Sequence, residues 1–268
     1  MTKKIPDLLR LTAPVRETLE SLPASVALIG VGTDGQPVTV DLDYAAHVLV
    51  STCGGGGSST ILRTLTAQFL HHGAHALVLD MKRISQPWAR ELPTVTYRAD
   101  VDDIHDALVG LAHELRRRID IADRHGSDVG LLRLVVVFEN GDATLRKLAR
   151  HWETVRRPGD PRVSPAFTAL TDVLSADARV RMNVLFDGHP TLSALELEGR
   201  EQFSTVILGQ VPTGTWRRLA PAAGPAPKDR SRPNRGRVHV VQRGDIVHQT
   251  QVLTLTDIEA LGRASGVS

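Results

Sequence analysis

The chain has 268 residues, 41% apolar and 23% charged, with a formal net charge of +2. That length suits one large α/β domain or two small ones, and the composition is that of an ordinary globular protein. One cysteine excludes an internal disulfide or a cysteine-built zinc cage, and 4% aromatic content argues against a stacking platform for single strands. So small a net charge leaves any nucleic-acid contact to local patches.

The opening Met-Thr-Lys-Lys-Ile-Pro has two lysines and no apolar core behind them, which is not a signal peptide. No run approaches the ~18 apolar residues of a membrane span, so no membrane segment and a cytoplasmic setting are expected. Residues 1–24 read as a polar N-terminal extension and residues 25–268 as one domain. Ser25–Gly30 and Pro37–Leu42 read as strands joined by a turn at Gly32, Asp34 and Gly35. His47–Thr52 is an apolar run suited to a buried parallel strand. Ile61, Leu62, Leu65, Phe69 and Leu70 then recur at helical spacing up to Gly73, and Ala76–Leu79 is a second buried strand ended by Asp80.

A long amphipathic helix is expected from Val101 to Asp123, with Asp100 as N-cap and an apolar face of Ile104, Ala107, Leu108, Leu111, Leu115 and Ile119. Leu134–Phe138 is the most hydrophobic strand. Helices over Ala143–Val155 and near Pro165–Leu174 follow, then strands at Val180–Phe186 and Thr205–Leu208. Pro221–Arg235 reads as a surface loop, and Val238–Gln242 with Ile246–Val252 as a terminal hairpin turned at Arg243-Gly244-Asp245. Alternating strands and helices imply an α/β fold with a mostly parallel sheet covered on both faces.

The stretch that carries chemistry is His47-Val-Leu-Val-Ser-Thr-Cys-Gly-Gly-Gly-Gly-Ser-Ser-Thr60. A phosphate-binding loop has a glycine, four variable residues, Gly-Lys and then Ser or Thr, between a strand and a helix. Its backbone N–H groups wrap the phosphates, its lysine neutralises them and its hydroxyl holds Mg²⁺. The candidate nucleotide-binding residues are Gly54, Gly55, Gly56, Gly57, Ser58, Ser59 and Thr60. Thr52 stands at the first glycine position, Ser58 at the lysine and Ser59 at the hydroxyl. A serine supplies no charge beside a triphosphate, and a helix N-terminus contributes only ~0.3–1 kcal/mol at an exposed site. On these residues alone the loop is equally a ligand-free glycine turn or a weak nucleotide site. Cys53 is expected as a small buried residue.

Taken together, several segments resemble the motor domain of the FtsK/SpoIIIE–HerA class of DNA translocases, and among these the plasmid-transfer FtsK-like proteins of actinobacteria. They are His47-Val-Leu-Val50, Ile61-Leu-Arg-Thr-Leu65, His75-Ala-Leu-Val-Leu-Asp-Met-Lys-Arg83, Leu134-Val-Val-Val-Phe-Glu-Asn140, Ala143-Thr-Leu-Arg-Lys-Leu148, Pro158-Gly-Asp-Pro161, Thr215-Trp-Arg-Arg-Leu-Ala-Pro221 and Gly236-Arg-Val-His-Val-Val241. The likeness spans residues 25 to 262. It implies a RecA-like P-loop fold, ATP with Mg²⁺ as cofactor, and a hexameric ring on double-stranded DNA. It also implies an acidic pair after the strand Leu134–Phe138, one member for Mg²⁺ and one to activate water. Glu139 falls on the first and Asn140 on the second, so the metal ligands would be Ser59 and Glu139, in use only if nucleotide binds. An amide cannot accept a proton, and a general base contributes typically ~10²–10⁴-fold.

The family's phosphate-sensing glutamine falls on Gly188 or His189, His189 being the only one able to stand in as a donor. Four departures (Thr52, Ser58, Asn140 and the lost glutamine) strike the chemistry while the strand and helix segments are kept. This is the pattern of a pseudo-ATPase, acting in DNA binding or transfer or in assembly with an active FtsK-like motor. An active translocase with an atypical loop, and a secretion-type module that binds other proteins, are the alternatives. The Asp80–Arg83 segment is expected to shape structure. Between Thr215 and Arg243 lie eight basic residues against Asp229, with Arg230, Arg232, Arg235 and Arg237 as candidate DNA contacts. Arg116, Arg117 and Arg118 read as a solvated helix face. His71, His72 and His75 lack a carboxylate or cysteine at ligand spacing, which argues against a metal.

Overall fold

The computed structural model describes residues 8–125, 130–189, 202–226, 235–243 and 246–266. Its ten strands are β1 (Val26–Gly32), β2 (Pro37–Asp41), β3 (Val48–Ser51), β4 (His75–Leu79), β5 (Val95–Arg98), β6 (Leu134–Phe138), β7 (Met182–Asp187), β8 (Thr205–Leu208), β9 (Arg237–Gln242) and β10 (Ile246–Val252). They form one sheet in the order β2-β1-β10-β9-β8-β3-β7-β6-β4-β5. From β8 to β5 every pairing is parallel, and from β2 to β8 every pairing is antiparallel. The helices are α1 (Ala13–Ser21), α2 (Ser58–His71), α3 (Val101–His125), α4 (Gly141–Val155), α5 (Pro165–Leu174), α6 (Thr213–Leu219) and α7 (Asp257–Ser265).

The parallel strands inside the edge strand β5 are buried on both faces, and their side chains sort by alternate positions. Val48, Val50, Ala76, Val78, Val135 and Val137 pack with Leu62, Leu65 and Phe69 of α2 on one face. Leu49, Leu77, Leu79, Val136 and Phe138 pack with Leu108, Leu148 and Leu170 of α3, α4 and α5 on the other. This is the period-two alternation of a pleated strand covered on both sides. Each fully buried Leu, Val or Phe contributes roughly 1.5–3 kcal/mol relative to exposure, so the sheet is fixed far more firmly than the loops at its edge.

The expected strands and helices are present within a few residues, and the sheet is mixed with a parallel majority. Four elements lie beyond the expectation. Helix α1 falls in the 1–24 segment and buries Leu19 in the core. The edge strand β5 has only four residues, half exposed in alternation, too short to stand out from a loop. Helix α6 has only seven. Helix α7 follows the hairpin and is closed by a capping box in which the Thr256 side chain accepts from Glu259 N and the Glu259 side chain accepts from Thr256 N. Strand β7 starts at Met182 rather than Val180, because Ala178–Val180 form a 3₁₀ turn and Arg181 adopts φ 53°.

One arginine corrects the expectation of a solvated face. Arg118 is buried, accepted by Glu114 Oε1 at 2.6 Å and by the carbonyls of Leu132 and Val180 at 2.9 and 3.0 Å. Its guanidinium satisfies backbone acceptors that the adjoining loops leave without partners, which is a structural task. Arg117 does remain exposed, paired to Glu114. The turn residues Gly244 and Asp245 lie outside the described residues. Among the described residues no helix is long and apolar enough to cross a membrane.

Candidate active site at the glycine loop

Strand β3 ends at Ser51, the loop runs from residue 52 to 57, and α2 starts at Ser58. This is the strand–loop–helix order that a phosphate loop requires. Gly55 and Gly57 adopt φ of 77° and 88°, a region that only glycine enters without strain. Gly56 is held by contact instead: a Cβ there would lie 2.6 Å from Thr52 Cβ and 2.8 Å from the Cys53 carbonyl. Gly54 faces open space. Thr52, in place of the first glycine, is accommodated because Gly209, next to it at the end of β8, has no side chain. Cys53 is exposed rather than buried, because the loop projects from the sheet edge.

Ser59 and Glu139, expected to hold the metal, do meet. The Ser59 hydroxyl donates to Glu139 Oε2 at 2.8 Å. Glu139 follows β6 directly and is buried, and its N–H donates to Leu79 O. Burial pushes its carboxyl above the usual value, against the pull of the Gln86 and Ser59 hydrogen bonds. Gln86 was not foreseen. Its amide nitrogen donates to Glu139 Oε1 and, at 2.9 Å, to Ser59 O, while its Oε1 accepts from Trp88 Nε1 at 2.6 Å. It locks the two candidate metal ligands together, and nothing in the spacing of the segment around it signals that task.

The other half of the site is different. Ser58, at the lysine position, lies near the carboxylate of Asp187, a residue that pairs in register with Val50 just before the loop. Asp187, the last residue of β7, accepts the Asn140 N–H at 3.1 Å. Burial raises its carboxyl above the usual value, while Ser58, Asn140 and the Lys82 ammonium oppose that rise and Asp142 adds to it. A carboxylate therefore stands beside the loop on the side of the lysine position. Asn140 adopts φ 49°, ψ 51° as the residue capping α4, and its carbonyl accepts from Ala143 N and Thr144 N. Asparagine tolerates this left-handed conformation better than most side chains, so the residue at the expected base position is also the one that suits the turn.

His189 is drawn into the site's rim. Its Nδ1 bonds to the Ser51 hydroxyl, its N–H donates to Asp142 Oδ2 at 2.6 Å, and its carbonyl accepts from Arg218 Nη2 at 3.3 Å. Gly188 could not carry a sensing side chain as placed: a Cβ there would lie 2.8 Å from the Phe186 ring and 2.9 Å from Asp142 Oδ2. Asp80 organises the segment behind the loop, accepting from the N–H groups of Lys82, Arg83, Ser85 and Gln86 and from the Tyr97 hydroxyl at 2.8–3.2 Å. Thr60 lies in the first turn of α2 and accepts from Arg63 Nη2 at 3.3 Å. Of the candidate DNA contacts, Arg230 and Arg232 lie outside the described residues. Arg235 is exposed, and Arg237 donates to Gln251 Oε1 at 2.9 Å.

No family model matches the sequence, and no curated protein matches it. Solved structures do. The pCW3 conjugation coupling protein TcpA, determined in its monomer form with ATPγS, superposes with a TM-score of 0.75 at 18% identity, over 95% of this chain and 72% of that one. The fold is that of a RecA-like P-loop NTPase. The ATPase 2 and 3 segment of EssC from Geobacillus thermodenitrificans gives 0.74 at 16% identity, over 98% of this chain and 51% of its own. EccC (ATPases 2 and 3) of Thermomonospora curvata, in complex with a signal sequence peptide, gives 0.68 at 14% identity, over 95% and 44%. The chain thus spans about half or less of these two secretion ATPases, and at such identities the likeness is one of fold.

Proposed function

We propose that this FtsK-type domain is a degenerate ATPase. It keeps the shape of a nucleotide loop, holds Mg·ATP weakly, and serves a DNA-moving assembly as a non-hydrolysing subunit beside an active motor. The observation that carries this reading is that the lysine position at the start of α2 holds Ser58, with the Asp187 carboxylate at the end of the neighbouring strand β7 beside the loop. Where a working loop places an ammonium against the phosphates, this one places a hydroxyl near a carboxylate, and the loop itself supplies no positive charge to a triphosphate. Asn140 cannot take a proton from water, so bound nucleotide would persist unhydrolysed. Ser59 and Glu139 would hold Mg²⁺ accompanying a nucleotide, supplying electrostatic neutralisation of its phosphates.

A DNA role draws on the exposed Arg235 and its basic neighbours, and on the fold shared with a conjugation coupling protein. Binding to duplex DNA that falls steeply as salt rises supports it; retention of a secretion-signal peptide with no DNA binding favours the peptide-handling alternative. The enzymatic half is tested by ATP hydrolysis of the unmodified chain against the Ser58→Lys/Asn140→Glu variant. Hydrolysis by the unmodified chain at a rate comparable with that variant overturns the reading.

A further inference from the structure

The loop's missing charge has a nearby substitute. Lys82 lies two residues beyond Asp80, in a segment whose backbone is fixed by the Asp80 carboxylate, with Lys82 N itself 3.1 Å from Oδ1. Four residues further on, Gln86 ties the same segment to Ser59 at the start of α2. The Lys82 side chain is exposed and makes no salt bridge among the described residues. In the sheet, β4 is separated from β7 by β6 alone. With strands about 4.8 Å apart, the ends of β4 and β7 are roughly 10 Å from one another. Leu79, Phe138 and Phe186 stand in register across β4, β6 and β7, so a four-carbon stem rooted just past β4 is long enough to reach toward the end of β7, and the Lys82 charge favours the ionised Asp187 carboxyl.

We infer that Lys82 supplies from the end of β4 the positive charge that Ser58 cannot, so that phosphate groups held at the loop are neutralised by Lys82 in competition with Asp187. In the ligand-free chain Lys82 acts on Asp187; a phosphate seated on the N–H groups of residues 55–59 draws it away. A lysine suits this part, being a compact charge on a flexible stem that needs no fixed fork geometry. Residue 82 is then a determinant of anion affinity and Asp187 its antagonist. The inference rests on the weak-binding reading above, because a tightly binding, hydrolysing loop would have no use for a substitute.

The test is calorimetric titration of the full chain with Mg·ATP and, separately, with inorganic pyrophosphate, at low salt, with hydrolysis followed in parallel. Lys82→Ala is expected to weaken both ligands about tenfold or more, Lys82→Arg to retain most of the affinity, and Asp187→Asn to tighten both about tenfold. The gain from Asp187→Asn should largely disappear when Lys82→Ala is added. Because Lys82 is exposed, thermal melting of Lys82→Ala should match the unmodified chain. Equal affinities of the unmodified chain and Lys82→Ala overturn the assignment while leaving the degenerate-ATPase reading standing, whereas no binding by the unmodified chain at all overturns both the assignment and the weak holding of Mg·ATP. Rapid hydrolysis by the unmodified chain overturns that reading whatever Lys82→Ala does.

Discussion

Ser58 and Ser59 are neighbours in the chain and opposites in the site. Ser59 donates to Glu139, a buried carboxylate held by Gln86, and so keeps the paired oxygens that a magnesium ion would use. Ser58 offers no charge, and Asp187, opposite Val50 at the end of β7, brings an acid to the side of the loop where a lysine would act. Adjacent positions on one helix turn thus separate the two tasks of a phosphate loop, metal holding and phosphate neutralisation. On the proposed reading the first task keeps its side chains and the second has lost its lysine, as a domain selected for shape rather than turnover would.

The largest way to break this contrast is to restore the lost side. Ser58→Lys combined with Asn140→Glu is expected to raise ATP hydrolysis by about 10²–10⁴-fold over the unmodified chain, read by phosphate release. Glutamate at a left-handed position carries strain of order 1–3 kcal/mol, so thermal melting of the variant separates a failure of chemistry from a failure to fold. On the retained side, Glu139→Ala leaves the Gln86 amide and the Ser59 hydroxyl without their buried acceptor. A loss of roughly 2 kcal/mol in urea unfolding is expected, an unpaired buried polar group costing about 1–3 kcal/mol.

Loop shape sharpens the contrast further. Gly56→Ala should cost roughly 1–3 kcal/mol, since its Cβ would overlap Thr52 and the Cys53 carbonyl, whereas Gly54→Ala should stay within about 0.5 kcal/mol because its Cβ meets nothing. Equal costs at the two positions would mean that the loop is not held in this form.

The smallest effect concerns pH. Burial raises the Asp187 carboxyl above its unfolded value, so its contribution to stability is fully present below the unfolded pKa and is lost as pH rises through the folded one. Asp187→Asn, which can still accept from Asn140 N–H, is therefore expected to match the unmodified chain in acid and to be the more stable at neutral pH. Denaturant midpoints across pH 3–8 check this, and an advantage that grows toward acid would contradict it.

Much of the fold is legible in the sequence. Leu134–Phe138 and His47–Thr52 read as buried parallel strands because doubly covered strands are continuous apolar runs, and the Ile61–Leu70 spacing shows the helix after the loop. Ser59 and Glu139 can be paired through the family resemblance, which places one on the loop's hydroxyl position and the other on the acid after Leu134–Phe138. Asp187 and Gln86 were not legible, since each acts through a partner distant in sequence, brought near by strand order alone. Cys53 and Arg118 were misread for the same reason: exposure of a loop residue and burial of a helix arginine are settled by what packs beside them. Helix α7 could have been read, because Thr256 and Glu259 stand at capping-box spacing before it.

The central claim is that the loop has lost its phosphate charge while keeping its form, and titration of Mg·ATP into the unmodified chain and into Ser58→Lys tests it most directly. Weak binding by the unmodified chain and at least about tenfold tighter binding by Ser58→Lys is the expected result. Equal, tight binding by both, accompanied by hydrolysis in the unmodified chain, would contradict it.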